Sequence, residues 1–103
     1  MDKLLVIYVD ETDTVDDLSL YEAICRKLVQ LGAPGATVLR GIMGFGKAQH
    51  IHRQRLFGVP DDRPIQISVV ANEEFLRETV IPAVKPMLSE GIMFLVDVEL
   101  VGP

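Results

Sequence analysis

The sequence predicts an α+β fold of the ferredoxin-like kind, βαββαβ: an antiparallel four-stranded sheet with two helices on one face. Three observations predict it. Four β-rich apolar runs punctuate the chain, two stretches with helical period separate the first run from the second and the third from the fourth, and only a polar stretch lies between the second and the third.

The first run, Lys3 to Val9 (KLLVIYV), is nearly continuous in apolar residues, as expected of a strand buried on both faces. An acidic loop follows. Ser19-Leu20-Tyr21-Glu22 has the S-x-x-E form of a capping box, in which the Ser19 hydroxyl accepts from the Glu22 backbone N–H and the Glu22 carboxylate reaches back. Tyr21, Ile24, Cys25, Leu28 and Val29 then recur at helical spacing and predict one apolar helix face. Gly32 ends that helix and Pro34 prevents its resumption.

Ala36 to Met43 (ATVLRGIM) reads as the second strand and Ile65 to Ala71 (IQISVVA) as the third. Asn72 is placed to cap a second helix, with Glu73 and Glu74 in its first turn. Leu76, Val80, Val84 and Leu88 supply its buried stripe. Pro82 and Pro86 each remove a backbone donor and predict a kink or a frayed second half, and Gly91 ends the helix. Met93 to Val101 is the last strand, with Val96, Val98 and Leu100 alternating with Asp97 and Glu99. The connection between strands two and three, about 44–63, runs to roughly 20 residues where hairpins use 2–5, and such loops in small domains are usually functional. The expected organisation is one domain over 1–103 with that connection as its exceptional feature.

Composition narrows the function. Hydrophobic residues make up 49% of the 103 and charged residues 24%, the balance of an ordinary globular domain. One cysteine, Cys25, leaves no internal disulfide framework and fits a reducing compartment. No segment approaches the ~20 apolar residues of a membrane span, so a cytoplasmic protein without membrane insertion is expected. The net charge of −5 argues against a nucleic-acid partner. The charge is segregated. Asp10, Glu11, Asp13, Asp16, Asp17 and Glu22 share a stretch with no base, whereas Arg40, Lys47, Arg53 and Arg55 share one with no acid. That basic stretch is a candidate anion or partner site.

Within it, Gly41-Ile42-Met43-Gly44-Phe45-Gly46-Lys47-Ala48 imitates the phosphate loop G-x-x-x-x-G-K-[ST]. Ala48 has no hydroxyl for a magnesium ion, and no helical period follows to place a helix N-terminus at the phosphates. The motif is false. Gly41, Gly44 and Gly46 still allow close backbone approach, to a ligand or to a neighbouring strand. Lys47, Arg53 and Arg55 are candidate phosphate ligands, a solvated face, or partners of the Asp10–Asp17 acidic loop of the same or a neighbouring chain. His50 and His52 fall on one side of an extended segment and are weak metal candidates with no acid or thiol nearby in sequence. No catalytic constellation emerges: Cys25 falls on the buried helix face, and Ser19, Ser68 and Ser89 read as cap, strand and helix-end residues.

These motifs resemble a PII-like family of small proteins, catalogued as a domain of unknown function and related by fold to the nitrogen-regulatory PII proteins. The resemblance is carried by Glu11 and Asp13, by Leu20-Tyr21-Glu22-Ala23-Ile24, and by Gly35-Ala36-Thr37-Val38-Leu39-Arg40-Gly41 with Gly44-Phe45-Gly46 and Ile51-His52. Asp62, Pro64, Pro82 and Val96-Asp97-Val98-Glu99 extend it over nearly the whole chain. It implies a homotrimer, an adenine nucleotide or similar anion in the clefts between subunits, and a T-loop at the long connection that acts on a membrane transporter or another regulated protein. The protein it implies is a non-enzymatic regulator. The implied site residues are Arg40, Gly41, Gly44, Phe45, Gly46, Lys47, His52, Arg53 and Arg55. The alternatives are a ligand-independent interaction module and a metal-responsive relative. Where PII proteins carry a Gly- and Lys-rich phosphate loop before the last strand, this chain reads Ser89-Glu90-Gly91-Ile92-Met93 with no cation. Any phosphate would then be gripped by the arginines and lysine of the long connection.

Overall fold

The structure, a computed structural model, describes residues 1–44 and 63–102. It contains β1 (Asp2–Asp10), a small hairpin of β2 (Thr14–Val15) and β3 (Leu18–Ser19), and the helix α1 (Leu20–Leu31). Then follow β4 (Thr37–Arg40), β5 (Pro64–Asn72), a composite second helix and β6 (Ile92–Asp97). The main sheet has the order β4-β5-β1-β6 with every neighbour antiparallel. This is the ferredoxin-like arrangement that the element order predicts.

Register decides what each face carries. Leu5 and Ile7 stand opposite Val69 and Ile67 on β5 and opposite Leu95 and Met93 on β6. With Val9, Ile65 and Ala71 they form the helix-facing side, closed by Leu20, Ile24 and Leu28 of α1 and by Leu76, Val80 and Val84 of the second helix. Nearly all of these are fully buried. The other face has no element over it among the described residues. Leu4 stands between Val70 and Val96, Val6 between Ser68 and Phe94, and Tyr8 between Gln66 and Ile92, while Leu39 of β4 lies beside Gln66. The continuous apolar run of β1 is therefore apolar on both faces, but only one is covered by the chain itself.

α1 is stopped by Gly32, whose φ of 86° lies in the left-handed region and whose N–H donates to Leu28 and Val29 carbonyls. Its start departs from the expected capping box. Ser19 makes no side-chain cap bond, because it is paired with Thr14 in the β2–β3 hairpin and Glu22 is bonded to Arg26 at 2.9 Å instead. The buried stripe is Leu20, Ile24 and Leu28, spaced by four, while Val29 is 79% exposed.

Asn72 caps the second helix as expected, its Oδ1 accepting from the N–H groups of Glu74 at 2.8 Å and Phe75 at 3.3 Å. The helix opens as α2 (Glu73–Phe75), widens into a π-turn at Leu76–Val80, narrows as α3 (Ile81–Val84) and closes with a 3₁₀ turn at Lys85–Met87. The prolines account for both irregularities. Ile81 donates five residues back to the Leu76 carbonyl, and the widened turn leaves room for the Pro82 ring, which has no N–H to give. Pro86 falls in the 3₁₀ turn. Gly91 does not cap this helix; it enters β6, where a Cβ would sit 2.7 Å from the Tyr8 carbonyl oxygen.

Candidate functional site

Three strand ends meet where the long connection leaves and re-enters the sheet: the end of β4 at Arg40, the start of β5 at Pro64, and the end of β1 at Asp10. Two backbone bonds tie them. The Gly41 N–H donates to the Pro64 carbonyl at 2.7 Å, and the Glu11 N–H donates to the Arg63 carbonyl at 2.9 Å. The glycine at 41 has a steric reason, since a Cβ there would meet Pro64 Cγ at 2.6 Å. A Cβ on Gly44 would lie 3.1 Å from the same ring. Of the two jobs open to these glycines, close approach to a neighbouring strand is the one Gly41 performs.

Side-chain charge is concentrated at the same place. Arg40 Nε donates to Glu11 Oε2 at 3.0 Å, which joins the end of β4 to the acidic loop; the pairing open to Lys47, Arg53 and Arg55 falls outside the described residues. Glu11 is mostly covered, whereas Arg40 remains more than half exposed. The other carboxylate oxygen of Glu11, Oε1, and the Nε of Arg63 are both sealed from solvent with no hydrogen-bond partner. Most buried polar groups are satisfied, so two at one junction mark it out.

The neighbouring acids are consumed by local structure. Asp10 Oδ1 accepts from the Thr12 N–H at 2.9 Å and the Thr12 hydroxyl at 2.8 Å, and Asp13 Oδ2 accepts from the Asp10 N–H at 3.1 Å. The Asp13 carbonyl receives the Leu20 N–H at 2.7 Å, which couples this loop to the start of α1. Asp16 and Asp17 form the hairpin tip, both at positive φ.

Of the residues singled out from sequence, Arg40, Gly41 and Gly44 lie at this junction. Phe45, Gly46, Lys47, His50, His52, Arg53 and Arg55 lie outside the described residues. Among the described residues no group of three His, Cys, Asp or Glu side chains is placed to hold a metal ion. Burial pushes the Cys25 thiol upward, with the Glu22 charge adding to it, so it is a poor nucleophile. Sequence reasoning passed over Arg63. Its place depends on the register that sets Asp10 opposite Pro64, and so Glu11 opposite Arg63, which no local pattern in the sequence encodes.

The opposite end of the sheet carries a second charged group. Lys3 is bonded to Asp97 and lies 4.0 Å from Glu73, which in turn accepts from Arg77 at 2.8 Å. The Asp97 bond raises the Lys3 pKa, and Asp97 and Glu73 are lowered by their bonds from Lys3 and Arg77. A shallow depression there is lined by Met1, Asn72, Glu73, Glu74, Arg77 and Glu78. Its acidic wall suits no anion. No described helix is long and apolar enough to cross a membrane.

A sequence profile of the family DUF190, described as "Uncharacterized ACR, COG1993", matches residues 2–100. Two proteins of Aquifex aeolicus, both named "UPF0166 protein", are similar to this chain. One is 28% identical over 99 residues, covering 96% of this chain and 92% of the relative. The other is 33% identical over 79 residues, covering 73% and 76%. A UPF0166 protein of Methanocaldococcus jannaschii is 27% identical over 95 residues, covering 92% of this chain and 87% of its own length.

Proposed function

The chain belongs to the DUF190 family, and we propose that it is a PII-like regulatory protein: a homotrimer that senses an adenine nucleotide or similar anion and acts on a partner through residues 41–63. The observation that carries this reading is the open apolar face of the sheet. Tyr8, Leu39, Val70, Ile92, Phe94 and Val96, each 38% exposed or more, lie on this face across four strands with Gln66 and Ser68 among them, and an apolar surface of that kind on a small domain is a surface for association. Association of copies through it leaves the mouth of the long connection, with Arg40 and Arg63, at the rim of the sheet.

The connection contributes the sensing half of the reading. It carries Lys47, Arg53 and Arg55, and it is rooted at Arg40, whose exposed guanidinium suits a phosphate. The turn before β6 reads Ser89-Glu90-Gly91, with no cation to share the task. Anion recognition on this reading belongs to the connection, and binding there changes the surface that it presents to a membrane transporter or another regulated protein.

The test is a thermal-shift screen against AMP, ADP, ATP, cyclic AMP and cyclic dinucleotides, with light scattering on the same samples. A ligand at ~100 times its Kd adds about 2.7 kcal/mol, a shift of several degrees for a domain of this size. Arg53→Ala/Arg55→Ala should abolish the shift. A trimer that responds to none of them is instead an interaction module that docks without a small ligand, and a monomer removes the reading altogether.

A further inference from the structure

We propose that Glu11 is a two-position counter-ion that exchanges between Arg40 and Arg63, so that occupation of Arg40 by an anion is passed to the far stem of the connection. The link to an anion rests on the reading above; the exchange itself rests on the geometry of the junction.

The β1–β5 ladder runs from Asp2 opposite Asn72 to Asp10 opposite Pro64. The bond from the Glu11 N–H to the Arg63 carbonyl carries it one step further, so Glu11 and Arg63 face each other across adjacent strands. Residues so placed have Cβ atoms roughly 4.5–5.5 Å apart, and opposite charges there attract. Glu11 nevertheless reaches past β5 to the end of β4, where Oε2 takes Arg40 Nε at 3.0 Å. The cost of that choice is visible. Glu11 keeps an oxygen, Oε1, with no donor, and Arg63 keeps a buried Nε–H with no acceptor.

An orphaned acceptor and an orphaned donor of opposite charge, on residues facing each other in one ladder, define a second arrangement in which they satisfy each other. The arrangement seen is held by the bond to Arg40, which is also the most exposed of the three groups and the one a phosphate meets first. An anion on Arg40 competes with Glu11 for the guanidinium and releases the carboxylate to Arg63. Because Arg40 ends β4 and Arg63 precedes β5, the exchange moves the tether from one stem of the connection to the other. Differential binding to two arrangements is what a ligand needs to shift an equilibrium.

The experiment follows arginine Nε–H signals by nuclear magnetic resonance in uniformly ¹⁵N-labelled protein. In Arg40→Gln, with no ligand added, the Arg63 Nε–H proton should move downfield and its exchange with water should slow on the order of tenfold, the effect of one charge-assisted bond. Adding Glu11→Gln to that variant should reverse both changes. Titrating inorganic phosphate into the wild type should reproduce the Arg63 change as the Arg40 signal shifts. An Arg63 signal identical in wild type and Arg40→Gln overturns the exchange. If Arg40→Gln moves Arg63 while phosphate and AMP move no arginine, the exchange stands and the anion-sensing reading falls.

Discussion

Gly41 shows how a residue can be legible in sequence while its purpose is not. The spacing of Gly41, Gly44 and Gly46 marks a backbone that must approach something closely, and the imitation of a phosphate loop suggests a ligand. The partner of Gly41 is Pro64, brought beside it by the β4–β5 pairing, a long-range contact that no local pattern encodes. Gly41→Ala places a Cβ 2.6 Å from Pro64 Cγ, and relief requires the strand ends to separate at the Gly41–Pro64 bond. The expected destabilisation is about 1–3 kcal/mol by urea unfolding, in the range of an overpacked site. Gly35→Ala is the control: its Cβ meets nothing within 4 Å, and its φ lies outside the left-handed region. That variant should be neutral or slightly more stable, because it narrows the unfolded ensemble alone. Equal changes in both would show that the Pro64 contact does not select the glycine.

At the scale of elements, the sequence fixes the second helix better than the first. Leu76, Val80 and Val84 are read correctly because a buried stripe spaced by four survives the π-turn, and the prolines announce the irregularity even though they do not specify its form. In α1 the S-x-x-E pattern misleads, since Ser19 is committed to a hairpin whose strands are two residues each and too short to show a period. That hairpin turns at Asp16 and Asp17, with φ of 49° and 68°, where Asn-Gly or Asp-Gly is the usual signal. Aspartate tolerates the left-handed region better than most residues but less well than glycine. Asp17→Gly should therefore stabilise the protein, by up to about 1 kcal/mol, once the greater freedom of glycine in the unfolded chain is set against the relieved strain. Because the Asp13 carbonyl receives the Leu20 N–H, the gain should also appear as slower amide exchange at Leu20. A loss of stability would mean that the Asp17 carboxylate contributes more than its backbone costs.

For the whole molecule, the apolar surplus of β1 and β6 was visible as composition, but its consequence depends on where the helices go. Both helices cover one side of the sheet, so the residues alternating with the core are left as an open face. Phe94 is its most informative member. It stands opposite Val6, its ring centroid lies 6.2 Å from that of Tyr8, and it is 40% exposed in the single chain. A charge at this position leaves the helix-facing core untouched, since Leu5, Ile7, Ile67 and Val69 lie behind the sheet. It would, however, be desolvated in any assembly that covers the face, and an unpaired buried charge is strongly unfavourable. Phe94→Glu should keep the circular dichroism and cooperative unfolding of the wild type while its mass by light scattering falls to that of one chain. Ile67→Glu, on the covered face, should fail to fold at any concentration. A Phe94→Glu protein with the wild-type mass, when that mass exceeds one chain, would place the association surface elsewhere, with the edge strands β4 and β6 the next to test.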